Sequence, residues 1–234
     1  MAGQIQPNGM SQITARQTVQ QTAEQLGESI FRRQGQRRAV KRQTVLYSSG
    51  QPATTVYWIA EGEVKVCRNS PDGRELTLDF LAAGEVFGEL EVLLQSPRES
   101  QAVARTDLVV YTLEKAALLA AIEAEPRLGI WLAQRMSLRQ SRMASRLEAL
   151  VFKSAHGKVA QVLLSLAQAH GRKTADGTLI DYPITHQEIG NLIATTRETV
   201  SYAFMEFRQR GLISTKQRRT IVRDLDGLGE LALA

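Results

Sequence analysis

The chain has 234 residues, 43% hydrophobic and 23% charged, which is enough for two ordinary cores. No run approaches the ~20 consecutive apolar residues of a membrane span, and no short apolar leader opens the chain, so a cytoplasmic protein without a membrane partner is expected. The net charge of +5 is uneven: residues 1–126 carry 13 Lys and Arg against 15 Asp and Glu, a net of −2, while residues 127–234 carry 16 against 9, a net of +7, so phosphate contacts are expected from the second half.

Residues 1–27 are rich in Gln, Ser, Thr and Gly. They hold too few large apolar groups to offset their ordering entropy and are expected to form a flexible arm or a loosely held helix. A short helix is expected from about Ile30, and the basic run Arg32, Arg33, Arg37, Arg38, Lys41 and Arg42 reads as a solvated face. Residues 28–125 read as a barrel. Short strands over 43–47, 55–60, 63–68, 75–81, 86–89, 100–106 and 109–113 are punctuated by Gly50, Gly62, Asp72-Gly73 and Gly84, the pattern of a jelly roll. Tyr57, Trp58 and Phe80 are expected in its core. The single cysteine, Cys67, excludes an internal disulfide and a cysteine metal cluster, and its alternating context makes it a small strand residue.

Residues 126–155 change to helical spacing. Leu128, Leu132, Met136, Met143, Leu147 and Leu150 recur at steps of three and four, interrupted by Gln140. This stripe is expected to pair with the same stripe of a second copy, with Gln140 setting the register. Helix continues over 151–169, with Gly157 expected as a hinge, and Gly171 and Asp176-Gly177 link it to the last segment.

Residues 156–234 hold two helices broken by a tight turn at Ala194-Thr195. Thr185 and Glu188 have capping-box spacing, and Ile189, Leu192 and Ile193 give the first helix one apolar face. Thr196 caps a second helix that turns Val200, Ala203, Phe204 and Phe207 inward and leaves Arg197, Glu198 and Ser201 outward. After Gly211, the pairs 212–213 and 220–222 suit a hairpin around Lys216, Arg218 and Arg219. The architecture is therefore α+β: an N-terminal jelly-roll β-barrel, a long dimerisation helix and a C-terminal winged helix-turn-helix. Such a helix docks in a major groove, where Arg197 suits guanine, Glu198 suits a cytosine amino group, and Ser201 and Tyr202 lie beside them. Thr185, His186, Gln187, Thr196, Thr199, Lys216 and Arg218 are expected on the DNA backbone.

The runs Ile184-Thr185-His186-Gln187-Glu188-Ile189-Gly190, Arg197-Glu198-Thr199-Val200 and Gly211-Leu212-Ile213-Ser214, with Gly62, Asp72-Gly73, Gly84 and Gly88-Glu89-Leu90, resemble the CRP/FNR-type bacterial transcription regulators from about Phe31 to Asp224. The resemblance implies a homodimer on an inverted repeat of double-stranded DNA, RNA polymerase as a further partner, and an effector cassette at Gly88, Glu89, Leu90, Arg98, Glu99 and Ser100 with Arg139 and Met143 from the long helix. It also exposes two departures. Where nucleotide-binding relatives place a phosphate-binding Arg, this chain has Glu99, with Arg98 one residue earlier; where they place hydroxyl residues against adenine, it has Met143 and Ala144. A carboxylate repels a cyclic phosphate, and a one-residue shift in extended chain reverses the side chain's face.

These departures point away from cyclic AMP. They leave another small metabolite, such as an anion held by Arg98 or Arg139, or an effector-independent regulator. Haem and a metal cofactor lack ligands, since no histidine precedes His156. The same absence counts against a jelly-roll metalloenzyme, and an enzyme is not expected.

Overall fold

The computed structural model describes residues 25–216 and 219–233. Contacts divide them into one unit built from residues up to 68 with 79–139, and another built from 69–78 with residues from 140 onward. Residues 1–24, which hold most of the expected arm, lie outside the described residues.

The first unit opens with helix α1, described over residues 25–34 and so ahead of the expected start near Ile30; Gly27 in it packs against Trp131, where a Cβ would stand 2.6 Å from the indole. The strands are β1 (Gln36–Val40), β2 (Val45–Tyr47), β3 (Thr55–Glu61), β4 (Val64–Asn69), β5 (Glu75–Leu81), β6 (Val86–Phe87), β7 (Gln101–Ala104) and β8 (Leu108–Glu114). They form two four-stranded sheets in the orders β1-β8-β3-β6 and β2-β7-β4-β5, the interleaving of a jelly roll. β1 was not expected, because Gln36, Arg37, Arg38 and Ala39 are exposed. It forms through its antiparallel backbone ladder to β8 rather than through an apolar face.

Two helices of this unit position the candidate site: α2 (Glu89–Leu94), between β6 and β7, and α3 (Lys115–Ala124), after β8. Phe31, Val56, Trp58, Val92, Leu113 and Leu118 fill one core, and Tyr47, Tyr57, Ile59, Leu81 and Phe87 another. Tyr57 and Trp58 are core as expected, whereas Phe80 is half-buried. Cys67 is fully buried in β4. Arg32 is not a free solvated cation: it pairs with Glu28 at 2.7 Å and lies over the rings of Trp58 and Tyr111.

The long helix α4 (Arg127–Phe152) corrects two expectations. Leu128 and Leu132 are 0% and 3% exposed and join Trp131 in the barrel's own core, so a partner cannot reach them. Met136 is half-buried, Gln140 is exposed, and Met143, Leu147, Val151 and Phe152 are 49%, 63%, 64% and 78% exposed. Leu150 packs partly against the second unit's core. The break after α4 falls at Lys153-Ser154 and not at Gly157, because Ser154 caps α5 (Ala155–His170) by accepting the Gly157 N–H at 3.0 Å.

In the second unit α5 is followed by β9 (Gly171–Thr174), β10 (Gly177–Ile180), α6 (His186–Leu192), α7 (Arg197–Gln209), β11 (Ile213–Lys216), β12 (Arg219–Val222) and α8 (Leu225–Leu233). The expected link at 171–177 is itself a hairpin, and it extends the wing to a four-stranded sheet of order β11-β12-β10-β9. Val159, Leu163, Ile180, Ile189, Val200, Phe204, Phe207, Leu212 and Leu228 form the core under α6 and α7.

Candidate nucleic-acid interface and effector site

The two helices of the turn are held at both starts by their own side chains. Thr185 Oγ1 accepts the Glu188 N–H at 3.1 Å while Glu188 Oε2 accepts the Thr185 N–H at 2.8 Å, a complete capping box. Between the helices Ala194 adopts a left-handed φ of 52°. The chain doubles back so closely that a Cβ on Gly190 would stand 2.9 Å from the Thr195 carbonyl oxygen, which is why glycine sits there. Thr196 Oγ1 then accepts the Thr199 N–H at 3.1 Å and starts α7. Each such cap contributes about 1 kcal/mol.

Burial of Val200, Ala203, Phe204 and Phe207 fixes which face of α7 is left outside. Arg197 and Glu198 are exposed in its first turn, with Glu198 favourably placed at the positive end of the helix dipole. Among the described residues Arg197 has no carboxylate partner. Tyr202 is 57% exposed and meets His156 edge to face at 5.7 Å. Ser201 is different: its hydroxyl lies 2.9 Å from His186 Nδ1 and 2.9 Å from the Arg197 carbonyl oxygen. The His186 ring rests on Phe204, centroid to centroid 4.3 Å. Burial, then the nearby Arg208 and Arg197 charges, push its pKa down, so the imidazole is neutral near pH 7.

Among the other backbone candidates, Gln187 is exposed and donates to Asn191 at 2.8 Å. Thr185, Thr196 and Thr199 are engaged in the caps described above. Lys216 lies 3.5 Å from Asp176, and Arg219 pairs with Asp181. Such exposed pairs are worth about 0–1 kcal/mol, too little to keep Lys216 from a phosphate. Arg218 lies outside the described residues. Asp176 lies in the turn of the unforeseen β9–β10 hairpin and Asp181 directly follows β10, so no spacing in the sequence pairs them with Lys216 and Arg219.

In the barrel the structure brings Gly88 and Arg98 of the cassette together. Gly88, at φ +75°, starts α2, and a Cβ there would stand 2.9 Å from Arg98 Nη1. Arg98 is 3% exposed. It donates to the Gly88 carbonyl at 2.6 Å, donates to the Thr55 carbonyl, meets Glu91 at 3.4 Å and lies over the Tyr47 ring at 4.3 Å. Its two Nη groups are thus held by protein groups, while among the described residues its Nε is buried without a hydrogen-bond partner. Glu99, on the opposite face, is 57% exposed along its side chain and pairs with Arg68. Ser100 is buried and hydrogen-bonds Tyr47, whose pKa burial pushes up to about 12.

Glu89 is 3% exposed and takes Arg139 Nη1 at 2.8 Å. Burial raises its pKa while the arginine opposes that rise. Arg139 also donates to the Val86 carbonyl, so it too is engaged. Among the described residues Glu89 Oε2 and Arg139 Nε, like Arg98 Nε, are buried without a hydrogen-bond partner. Leu90 is 43% exposed, and Met143 belongs to the second unit. Among the described residues no group of three or more His, Cys, Asp or Glu side chains is placed to hold a metal ion, and no helix is long and apolar enough to cross a membrane.

Two family models match the chain. Residues 37–125 match the cyclic nucleotide-binding domain model, and residues 157–231 match the Crp-like helix-turn-helix domain model. A CRP-like cAMP-activated global transcriptional regulator of Mycobacterium tuberculosis is 30% identical over 223 residues, covering 95% of this chain and 100% of the relative. A global nitrogen regulator of a Nostoc species is 29% identical over 184 residues, covering 78% of this chain and 82% of its own. The crystal structure of a CRP-family transcriptional regulator from Thermus thermophilus superposes with a TM-score of 0.70 at 32% identity, covering 84% of this chain and 97% of that one. The chain belongs to the CRP/FNR family of bacterial transcription regulators, which are DNA-binding proteins and not enzymes.

Proposed function

We propose that the chain acts in the cytoplasm as a homodimer that reads an inverted repeat in duplex DNA, under control of a barrel whose effector is not cyclic AMP. The observation that carries the DNA part is Arg197, exposed and without a carboxylate partner among the described residues, on the first turn of a capped helix, where a guanidinium can meet guanine in the major groove. Pairing is supported by Met136, Gln140, Met143, Leu147 and Leu150, which step by four and three along α4 as a coiled-coil seam does. Selection from a random duplex library tests this reading. Inverted repeats with half-site centres about 34–36 Å apart should be enriched, whereas enrichment of nothing, or of single unrepeated sites, counts against it.

The effector part rests on charge. Arg98 is held by Glu91 and two carbonyls, and Glu99 stands on the other face paired with Arg68, so a carboxylate stands where nucleotide-binding relatives place their phosphate-binding arginine, which disfavours a cyclic phosphate. The partnerless Glu89 Oε2 and Arg139 Nε favour a hydroxyl-bearing molecule over no effector at all, because buried polar atoms in native proteins rarely go unsatisfied. Thermal melting with 1 mM cyclic AMP should therefore show no shift beyond about 1 °C. A site with a dissociation constant near 10 µM would add about 2.7 kcal/mol and raise the midpoint by roughly 5–10 °C, and that result would refute the effector assignment.

A further inference from the structure

We infer that His186 is a positioning residue for Arg197, acting through Ser201, rather than a contact to DNA. This inference rests on the reading of α7 as the base-reading helix and deepens it. His186 is the first residue of α6, directly after the cap Thr185. From there it reaches two positions of α7 at once: Ser201 Oγ at 2.9 Å through Nδ1, and the ring of Phe204 at 4.3 Å. Ser201 lies four residues after Arg197 on the same flank of the helix and bonds that residue's carbonyl oxygen at 2.9 Å.

One arrangement of protons satisfies both contacts. The Ser201 hydroxyl carries a single proton, and when it donates to the Arg197 carbonyl it accepts from an Nδ1–H of His186. The neutral ring then holds its proton on Nδ1, and the two bonds form a chain from the start of α6 to the first turn of α7 that polarises each member. Phe204 is 4% exposed, so the other side of the imidazole rests on the core.

The consequence lies in geometry at a distance. Arg197 extends its guanidinium well beyond the helix backbone, so a small rotation of the first turn about the helix axis displaces it by much more than the backbone moves. Bidentate readout tolerates misplacement of only about 0.5 Å. The hydroxyl of Ser201, taken by His186 and the Arg197 carbonyl, is accordingly used to hold the helix and not to meet a base.

The test uses full-length chain and two probes: a duplex enriched by the wild type from a random library, and a scrambled duplex of the same length. His186→Phe keeps an aromatic ring against Phe204 and removes the donor; His186→Asn keeps a donor near the place of Nδ1 and removes the ring. Ser201→Ala removes the hydroxyl without touching the core. His186→Phe and Ser201→Ala should each lower the preference for the enriched duplex about five-fold, the worth of one hydrogen bond, and the double variant should lose no more than either. His186→Asn should retain preference within about two-fold, and scrambled-duplex affinity with its salt slope should stay unchanged throughout. His186→Phe weakening both duplexes alike would make the residue a phosphate contact, and additive losses in the double variant would break the chain from His186 to Ser201; either result overturns the proposal. If His186→Phe fails to fold, Ser201→Ala carries the same expectation and an unchanged preference there overturns it. Should the wild type enrich no sequence, the base-reading assignment itself fails, an outcome separate from these.

Discussion

Exchanging Leu147 for glutamate is expected to leave the chain folded and to abolish its pairing. Leu147 is 63% exposed in the single chain, so the exchange costs the monomer no more than about 0.5 kcal/mol, the usual range for surface substitutions. In a two-fold seam the same position faces its own copy or its neighbours a step away, and two carboxylates lose their water for no partner. The desolvation penalty is several kcal/mol per ion, which corresponds to a rise of at least 100-fold in the dimer dissociation constant. Sedimentation equilibrium at micromolar concentration should show a dimer for the wild type and a monomer for Leu147→Glu, with melting temperatures within a few degrees. The same exchange at Leu132, which is 3% exposed in the barrel's own core, should unfold the first unit instead. A dimer surviving Leu147→Glu would place the interface elsewhere.

The second large effect is expected at Arg197. Removing its guanidinium with Arg197→Ala deletes a bidentate contact worth about 1–3 kcal/mol of discrimination, roughly five- to 150-fold. Because Arg197 is exposed and has no carboxylate partner among the described residues, the substitution should not disturb the helix, and the cap at Thr196 remains. Competition binding should show the loss on the enriched duplex, a relaxed preference at one guanine, and little change on scrambled DNA beyond the one positive charge. By contrast Lys216→Ala should weaken all duplexes alike and reduce the salt slope by about one. Equal losses on both probes for Arg197→Ala would remove it from base readout.

Local rules made the second unit's helices legible before any coordinates. Thr185 with Glu188, and Thr196 three residues before Thr199, are capping signals whose chemistry is complete within four residues, and both are found in the structure. The jelly-roll strands were legible where turn glycines separate apolar alternation, as around Gly62 and Gly84. Legibility failed where an element owes its existence to a distant partner. β1 is polar and is held by β8, and β9, with the exposed sequence Gly171-Arg172-Lys173-Thr174, is held by β10. α3 and α8 are rich in helix-forming Ala and Leu residues, a propensity signal that lies within their own sequence.

The site residues divide in the same way. Arg197 and Glu198 follow from the cap and the buried face of one helix, so periodicity alone puts them outside. The His186–Ser201 contact spans 15 positions, and no spacing rule announces it. The burial of Arg98 follows from the one-residue shift that turns it from Glu99's face. Its partners Thr55 and Gly88, however, come from distant positions in the chain. Leu128 and Leu132 share a stripe with Leu147, and only the packing of Trp131 and its neighbours shows that the stripe changes its partner partway along α4.

Stoichiometry on DNA separates paired from single binding. Sedimentation of the full chain with an enriched inverted-repeat duplex, and with a duplex carrying one half-site, should give two chains on the repeat, bound at least ten-fold more tightly than on the half-site. One chain per duplex, with equal affinity for the repeat and the half-site, would contradict the account.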